Sequence, residues 1–300
     1  MDDAQIRSVR SFNRAVTRRI GVLTDDYLGR GRPWGESRLM FEIGRDGASA
    51  RELRERLALD SGYLSRLLRS LEAQKLVTSR PSPHDARVRM VTLTRKGLRE
   101  LDAMDGRSDD VAATLLGPLT PTQRQRLVAA MAEVEWLLRV GTVTIDVADP
   151  ASPAATACIA AYVQELRLRI PAFDPGRGPT ASADELVPPN GLLLLASLDG
   201  AAVGCAALKS IAPGVGEIKR MWVAPALRGA GIARRLLVAL EAHAVGMGMP
   251  VLRLDTAGTQ AEALALYRHR GYREIAAYND NPYADHWFEK RIGTASEASA

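Results

Sequence analysis

Apolar residues recur at helical spacing through the first 140 positions. Ile6, Val9, Phe12, Val16, Ile20 and Leu23 share one face and predict a long first helix. Ser49 and Glu52 have the spacing of a capping box, so Leu53 and Leu57 belong to a short helix. Asp60 is placed to cap the next helix, predicted over 61–74, with Leu64, Leu67, Leu68 and Leu71 as its buried stripe. Two helices joined by a tight turn form a helix-turn-helix. The period then changes to two. Residues 77–80 and 87–93 read as a β-hairpin around the stretch Pro81-Ser82-Pro83-His84-Asp85-Ala86. Helical spacing returns over 121–140, opened by Pro121 and carried by Leu127, Met131, Val134 and Leu138.

Beyond Gly141 the pattern is mixed. A β-branched segment over 142–147 leads into the turn 149–153, a helix over about 152–169 and a Pro/Gly-rich stretch, 171–190. Strands are predicted at 191–198, 201–209, 215–223, 250–255, 272–279 and 285–292, and helices at 229–246 and 259–270. The hairpin turns Asp199-Gly200 and Pro213-Gly214 argue against a doubly wound dinucleotide fold. The expected architecture is two domains: a mostly α winged helix-turn-helix over 1–140 and an α/β mixed-sheet domain over 141–293, with 294–300 a disordered tail.

Composition sharpens this division. Of 300 residues, 46% are hydrophobic, enough for two cores. Residues 1–140 carry 25 Lys+Arg against 19 Asp+Glu, whereas 141–300 carry 15 against 16, so the whole net charge of +5 arises from the first half. A polyanion partner is expected there, the alternative being a solvated basic surface. Apolar stretches such as 192–196 are far below the ~20 residues of a membrane span, and Met1–Arg10 is charged without an apolar run, so a cytoplasmic protein is expected. Cys158 and Cys205 have no metal-ligand spacing, and no metal site is expected.

On the 61–74 helix, the leucine stripe leaves Ser61, Gly62, Tyr63, Ser65, Arg66 and Arg69 on the other face. Arginine pairs with guanine edges or phosphate, and small residues let a helix N-terminus approach a backbone; an exposed arginine face can equally be only solvated. The hairpin that follows is placed as a wing, with Arg87 or Arg89 suited to a minor groove. The run Leu59-Asp60-Ser61-Gly62-Tyr63-Leu64-Ser65-Arg66-Leu67-Leu68, the wing Asp85-Ala86-Arg87 and Leu93-Thr94-Arg95-Lys96-Gly97 together resemble the MarR family of winged-helix regulators over about residues 5–140. The resemblance implies a homodimer assembled through the first and last helices of this half, bound to double-stranded DNA at a pseudo-palindromic operator.

In the second half, an apolar strand ending at Val223 runs through Pro225 into Arg228-Gly229-Ala230-Gly231-Ile232-Ala233 and then a helix. A glycine turn at a helix N-terminus exposes backbone amides to an anion, although such turns also serve helix–strand packing. The run Glu217-Ile218-Lys219-Arg220-Met221-Trp222-Val223, with Pro225 and Arg228 to Ala233, resembles the acetyl-CoA motif of GNAT acyltransferases. Gln260 to Leu266, followed by Tyr267 and Gly271-Tyr272, resembles that family's later motif, with Gln260 where Asn is common. The resemblance spans about 142–292 and implies N-acetyltransferase chemistry: acetyl-CoA pyrophosphate on the 228–233 amides, its pantetheine arm beside Met221, Trp222 and Val223, and transfer to an amine. It points to Tyr267 as the acid for the departing thiolate and to the Val223 N–H as an oxyanion donor. Glu217 is the candidate base, directly or through water, and its alternative is an ion pair with Lys219 or Arg220. Amine specificity would lie in 167–190 and 278–287, with Asp285 and His286 either lining the pocket or structural. The combined expectation is a bifunctional DNA-binding regulator and N-acetyltransferase; the alternative is a transcription factor whose second half senses an acyl-CoA or amine without turnover.

Overall fold

A computed structural model describes residues 2–21, 26–82, 85 and 88–293. Leu23, Arg87, the hairpin-tip residues Pro83, His84 and Ala86, and the segment 294–300 lie outside the described residues. The chain divides into two compact units, Met1–Leu127 and Val128–Ala300. Among the described residues no helix is long and apolar enough to cross a membrane, and no cluster of His, Cys, Asp and Glu could hold a metal ion.

In the first unit the elements are α1 (Asp3–Ile20), α2 (Trp34–Ile43), β1 (Ala48–Ser49), α3 (Ala50–Arg56), α4 (Ser61–Ala73), β2 (Val77–Pro81), β3 (Arg89–Leu93), α5 (Arg95–Leu116) and the start of α6 (Pro121–Gly141). The caps follow the sequence. Ser49 and Glu52 close their capping box, and the Asp60 carboxylate accepts from the Tyr63 amide at 2.8 Å. Leu64, Leu67, Leu68 and Leu71 of α4 sink into a core with Leu39, Met40 and Ile43 of α2 and Leu53 of α3. At about 1.5–3 kcal/mol for each large side chain removed from water, that leucine stripe is what docks α4. Strands order as β1-β3-β2, all antiparallel, and the two-residue β1 is an element the sequence pattern did not show. Gly97 is required by packing: a Cβ there would stand 2.0 Å from the Leu76 carbonyl oxygen, so only glycine lets α5 start against the end of α4.

The second unit holds a seven-stranded mixed sheet, ordered β4-β5-β6-β7-β8-β10-β9. Its strands are β4 (Thr144–Ala148), β5 (Gly191–Leu198), β6 (Ala201–Ala212), β7 (Val215–Val223), β8 (Val251–Thr256), β9 (Arg273–Ile275) and β10 (His286–Arg291), and its helices α7 (Pro153–Arg169), α8 (Ile232–Gly246) and α9 (Ala261–His269). The long terminal strands expected from the sequence are shorter here, because residues 276–285 leave the ladder to form a loop. Leu236, Leu237 and Leu240 of α8 pack on the sheet with Leu192, Leu194, Leu208 and Leu252. On another face Ala155 and Cys158 of α7 meet Leu193, Leu195 and Cys205.

Two irregularities shape the site. The β6–β7 register slips between Cys205↔Trp222 and Ala207↔Lys219, leaving one extra residue on β7, and Arg220 there has φ +54°. That is a β-bulge, which bends a strand and re-aims a side chain. Among the described residues the only parallel pair, β7 with β8, joins Val215–Glu217 to Val251–Arg253 and goes no further, so Ile218–Val223 has no β8 partner there.

Candidate functional site

The unpaired end of β7 opens onto a cleft of about 360 Å³. Eight of the residues expected to bind the cofactor line it: Met221, Trp222, Val223, Arg228, Gly229, Gly231, Ile232 and Ala233. Ala230 of that set instead packs beside the sheet core. Gly229 and Gly231 have φ of +79° and +75°, and a Cβ on either would stand in open space. The glycines are therefore there for backbone shape and an uncovered surface, not for helix–strand packing. Helix α8 starts at Ile232 without any side-chain cap, so its first-turn amides stay unpaired and carry the positive end of the helix dipole. This cradle fits a diphosphate.

Arg228 does not stand free in the cleft. Its Nη2 is 2.6 Å from Glu165 Oε1, and Glu165 also accepts from the Trp222 indole at 2.7 Å and pairs with Arg169 at 2.8 Å. Burial works against ionisation of Glu165, but these three donors hold its carboxyl below the ordinary value. Arg169 reaches on to Glu262 of α9 at 3.7 Å, so charge links α7 to α9 beside the cleft.

A second cavity, of about 170 Å³, shares Tyr162, Leu166, Met221 and Gln260 with the cleft. Its walls come from α7, residues 170–181, the bulged part of β7, the end of β8, Asn281 and Tyr283. Tyr267 lines it from α9 and is buried, with its ring 5.8 Å from that of Tyr272 and 6.1 Å from that of Phe288. Burial, with Tyr162 and Asp255 nearby, pushes the Tyr267 hydroxyl above its ordinary ionisation, so it keeps its proton.

Glu217 is 2% exposed and does not border either cavity. Its carboxylate accepts from Tyr278 at 2.7 Å and Asn279 at 3.2 Å, and lies 3.1 Å from Lys219 Nζ. The pairing with Lys219, one of the alternatives for this residue, is thus formed. Lys219 also reaches Asp255 at 2.7 Å, and Asp255 accepts from Asn279 and Asn281, each at 2.7 Å. Lys219 and Asp255 border the cavity, making them the exposed end of a network whose buried end is Glu217. Burial, then the Glu217 charge, raises the Tyr278 hydroxyl above its usual ionisation. Sequence reasoning reached Asn279 and Asn281 only as members of the 278–287 segment, and missed Glu165 and Asp255. Their signal was weak: isolated polar residues at the ends of apolar elements. Asp285 and His286 do not line the cavity; Asp285 accepts from the Gly258 amide at 2.6 Å, and His286 meets Glu274.

In the first unit, Ser61, Gly62, Tyr63, Ser65, Arg66 and Arg69 are all exposed on one side of α4. The Arg66 guanidinium lies 5.6 Å from the Tyr63 ring centre, and neither Arg66 nor Arg69 has an acidic partner among the described residues. Ser65 is turned to its own helix, donating to the Ser61 carbonyl at 2.7 Å. On β3, Arg89 is 3.4 Å from Glu72 of α4, which ties the base of the wing to that helix.

Comparison with known proteins follows the same division. The family described as Acetyltransferase (GNAT) matches residues 160–272, and the MarR family matches residues 30–88. An IAA acetyltransferase of Azospirillum brasilense is 41% identical over 99 residues, which is 33% of this chain and 63% of that protein's length. Among solved structures, a putative acyl-CoA N-acyltransferase from Klebsiella pneumoniae is 31% identical, covering 51% of this chain and 99% of its own, with a TM-score of 0.42. A mutant MarR from E. coli, complexed with operator DNA, is 21% identical and covers 44% of this chain and 96% of its own, with a TM-score of 0.38. Within one chain, residues 30–88 match the MarR family and residues 160–272 match the acetyltransferase (GNAT) family.

Proposed function

We propose that this chain is a DNA-binding regulator that also transfers an acetyl group from acetyl-CoA to an amine, with residues 1–140 and 141–293 as the working modules. The observation that carries the enzymatic reading is the cleft beside the unpaired end of β7, where an uncapped helix start and two open, positive-φ glycines meet. Amides of Gly229 to Ala233 would hold a pyrophosphate, and the free edge of Met221–Val223 would hold an extended amide-bearing arm. When bound, acetyl-CoA supplies an activated thioester, and transfer forms a C–N bond as the C–S bond breaks. The Val223 N–H would donate to the carbonyl oxygen as charge develops on it. Tyr267 retains its proton and gives it to the departing sulfur. Asp255 and Lys219 begin, at the cavity wall, the hydrogen-bonded path by which the amine proton reaches Glu217.

The regulatory reading rests on α4 and the hairpin after it: six exposed polar or small residues on one face, including two arginines without acidic partners among the described residues, with Arg89 on β3 and Arg87 two positions before it in sequence. Dimerisation is supported by α1. This 18-residue helix buries no residue, and Phe12 is 51% exposed, yet most helical stability in proteins comes from packing an apolar face. Met131, Val134 and Leu138 of α6 are likewise exposed and apolar. Calorimetric titration of acetyl-CoA tests the enzymatic reading. Micromolar binding by the wild type and none by an Arg228→Glu, Gly231→Asp double variant is expected; absence of binding by the wild type overturns it.

A further inference from the structure

The second cavity shows what sort of amine it takes, given the acyltransferase reading on which this inference rests. Four charged side chains border it: Lys219, Asp255, Arg220 and Arg177. The first two neutralise each other inside the network with Glu217, and Asp255 has both oxygens occupied, by Lys219, Asn279 and Asn281. Arg220 is different. The bulge puts it at φ +54°, half-buried, and its guanidinium donates to the carbonyl of Ala181. No carboxylate pairs with it among the described residues. A partly desolvated guanidinium with donors to spare, facing a cavity, is complementary to an anion. Arg177 is exposed on the 170–181 segment and likewise has no acidic partner there. One side of the remaining wall is apolar, from Ile159, Val163, Ile170 and Phe173, the last with its ring tilted 4.9 Å from that of Tyr283, while Thr180, Thr256 and Gln260 add polar groups elsewhere. At about 170 Å³ the cavity suits a group of amino-acid size.

We infer that the acceptor is a small α-amino acid with an apolar side chain, its carboxylate held by Arg220 and its side chain against Ile159, Val163 and Phe173. Its amine then faces the boundary shared with the cleft, at Tyr162 and Met221. Arg220 acts as a specificity-determining residue. It selects the carboxylate and takes no part in bond making. A polyamine or a plain amine meets the same arginine as a repulsive charge.

The test has two readouts on the full-length protein. Acetyl-CoA is first titrated by calorimetry. Then, with coenzyme A saturating, N-acetyl-L-methionine and its neutral carboxamide are titrated, and thiol release is followed with L-methionine, L-methioninamide and spermidine as acceptors. The acid is expected to bind at least about tenfold more tightly than the carboxamide, the size of one charge-assisted hydrogen bond. L-Methionine should exceed L-methioninamide by a similar factor in kcat/KM. Arg220→Met should erase both preferences while leaving acetyl-CoA binding intact, and Arg220→Lys should restore part of them. Equal binding of acid and carboxamide, or spermidine as the better acceptor, overturns the inference while acetyl-CoA binding still stands. Failure of acetyl-CoA to bind instead removes the acyltransferase reading beneath it.

Discussion

Arginine serves opposite ends in the two units. On α4, Arg66 and Arg69 are exposed and have no acidic partner among the described residues, whereas in the cleft Arg228 is locked to Glu165, with Arg169 on the same carboxylate. A long polyanion is recognised by charges that remain mobile until contact, since its affinity comes largely from counterion release. On the proposed reading a small diphosphate would be met instead by fixed backbone, while the nearby Arg228 joins α7 and the glycine turn through Glu165. The consequence is that backbone changes should damage the cleft most, and charge changes should damage α4 most.

The largest effect should come from Gly231→Val. A β-branched residue is strained at φ +75°, and its side chain would occupy the space left open over the amides. Acetyl-CoA affinity should fall by at least about a hundredfold in calorimetry, a loss of about 2.7 kcal/mol. If Arg228→Ala alone matches that loss, the contrast between fixed backbone and mobile charge is wrong for the cleft. Tyr267→Phe should lower kcat by about 10² with acetyl-CoA affinity unchanged, the usual size of general-acid help. Because burial raises this hydroxyl's ionisation, the wild-type rate should show no alkaline fall from Tyr267 up to about pH 10, where an ordinary tyrosine titrates. A turnover insensitive to the substitution would move the acid elsewhere.

A stability measurement sharpens the comparison from a third arginine site. Glu100 of α5 accepts from Arg30 at 2.7 and 2.8 Å and from Arg32 at 2.6 Å, which holds its carboxyl down to about 2. A lowered folded-state value means stability that is fully present above the unfolded value near 4.5 and is lost as pH falls toward 2. After discounting for partial exposure, Glu100→Gln should cost about 2 kcal/mol at neutral pH in denaturant melts, and the difference should vanish below about pH 2. The smallest effect should be Arg66→Ala: about tenfold weaker operator binding by gel shift, with the salt dependence of binding shallower by about one unit. An unchanged slope would mean that Arg66 touches no phosphate.

Legibility in the sequence followed the range of the interaction. Local rules placed the Ser49–Glu52 capping box, the Asp60 cap, the leucine stripe of α4, the hairpin after it and the glycine turn, because each depends on neighbours within a few residues. The bulge at Arg220 was not visible: nothing in Lys219-Arg220-Met221 marks an extra residue until β6 is laid beside it. Glu165 was missed for a similar reason. Its partners Trp222 and Arg228 are 57 and 63 positions away, a distance no periodicity bridges. Glu217 shows the converse limit. Sequence singled it out by its place in a motif, while its burial beneath Lys219 and Tyr278 depends on the loop after β9.

The short pairing between β7 and β8 also bears on how this sheet avoids sticking to other chains. An unpaired strand at the rim of a sheet invites another polypeptide to add on, a recognised route to aggregation. Here Ile218–Val223 offers an edge inside the sheet, with β6 on one side and β8 continuing beyond the gap on the other. At six residues long and bordered across the cleft by residues of α7, α8 and α9, it would, on the proposed reading, take a slender ligand rather than a foreign strand. The molecule keeps the adhesive property of a free edge while denying it to its neighbours in a crowded solution.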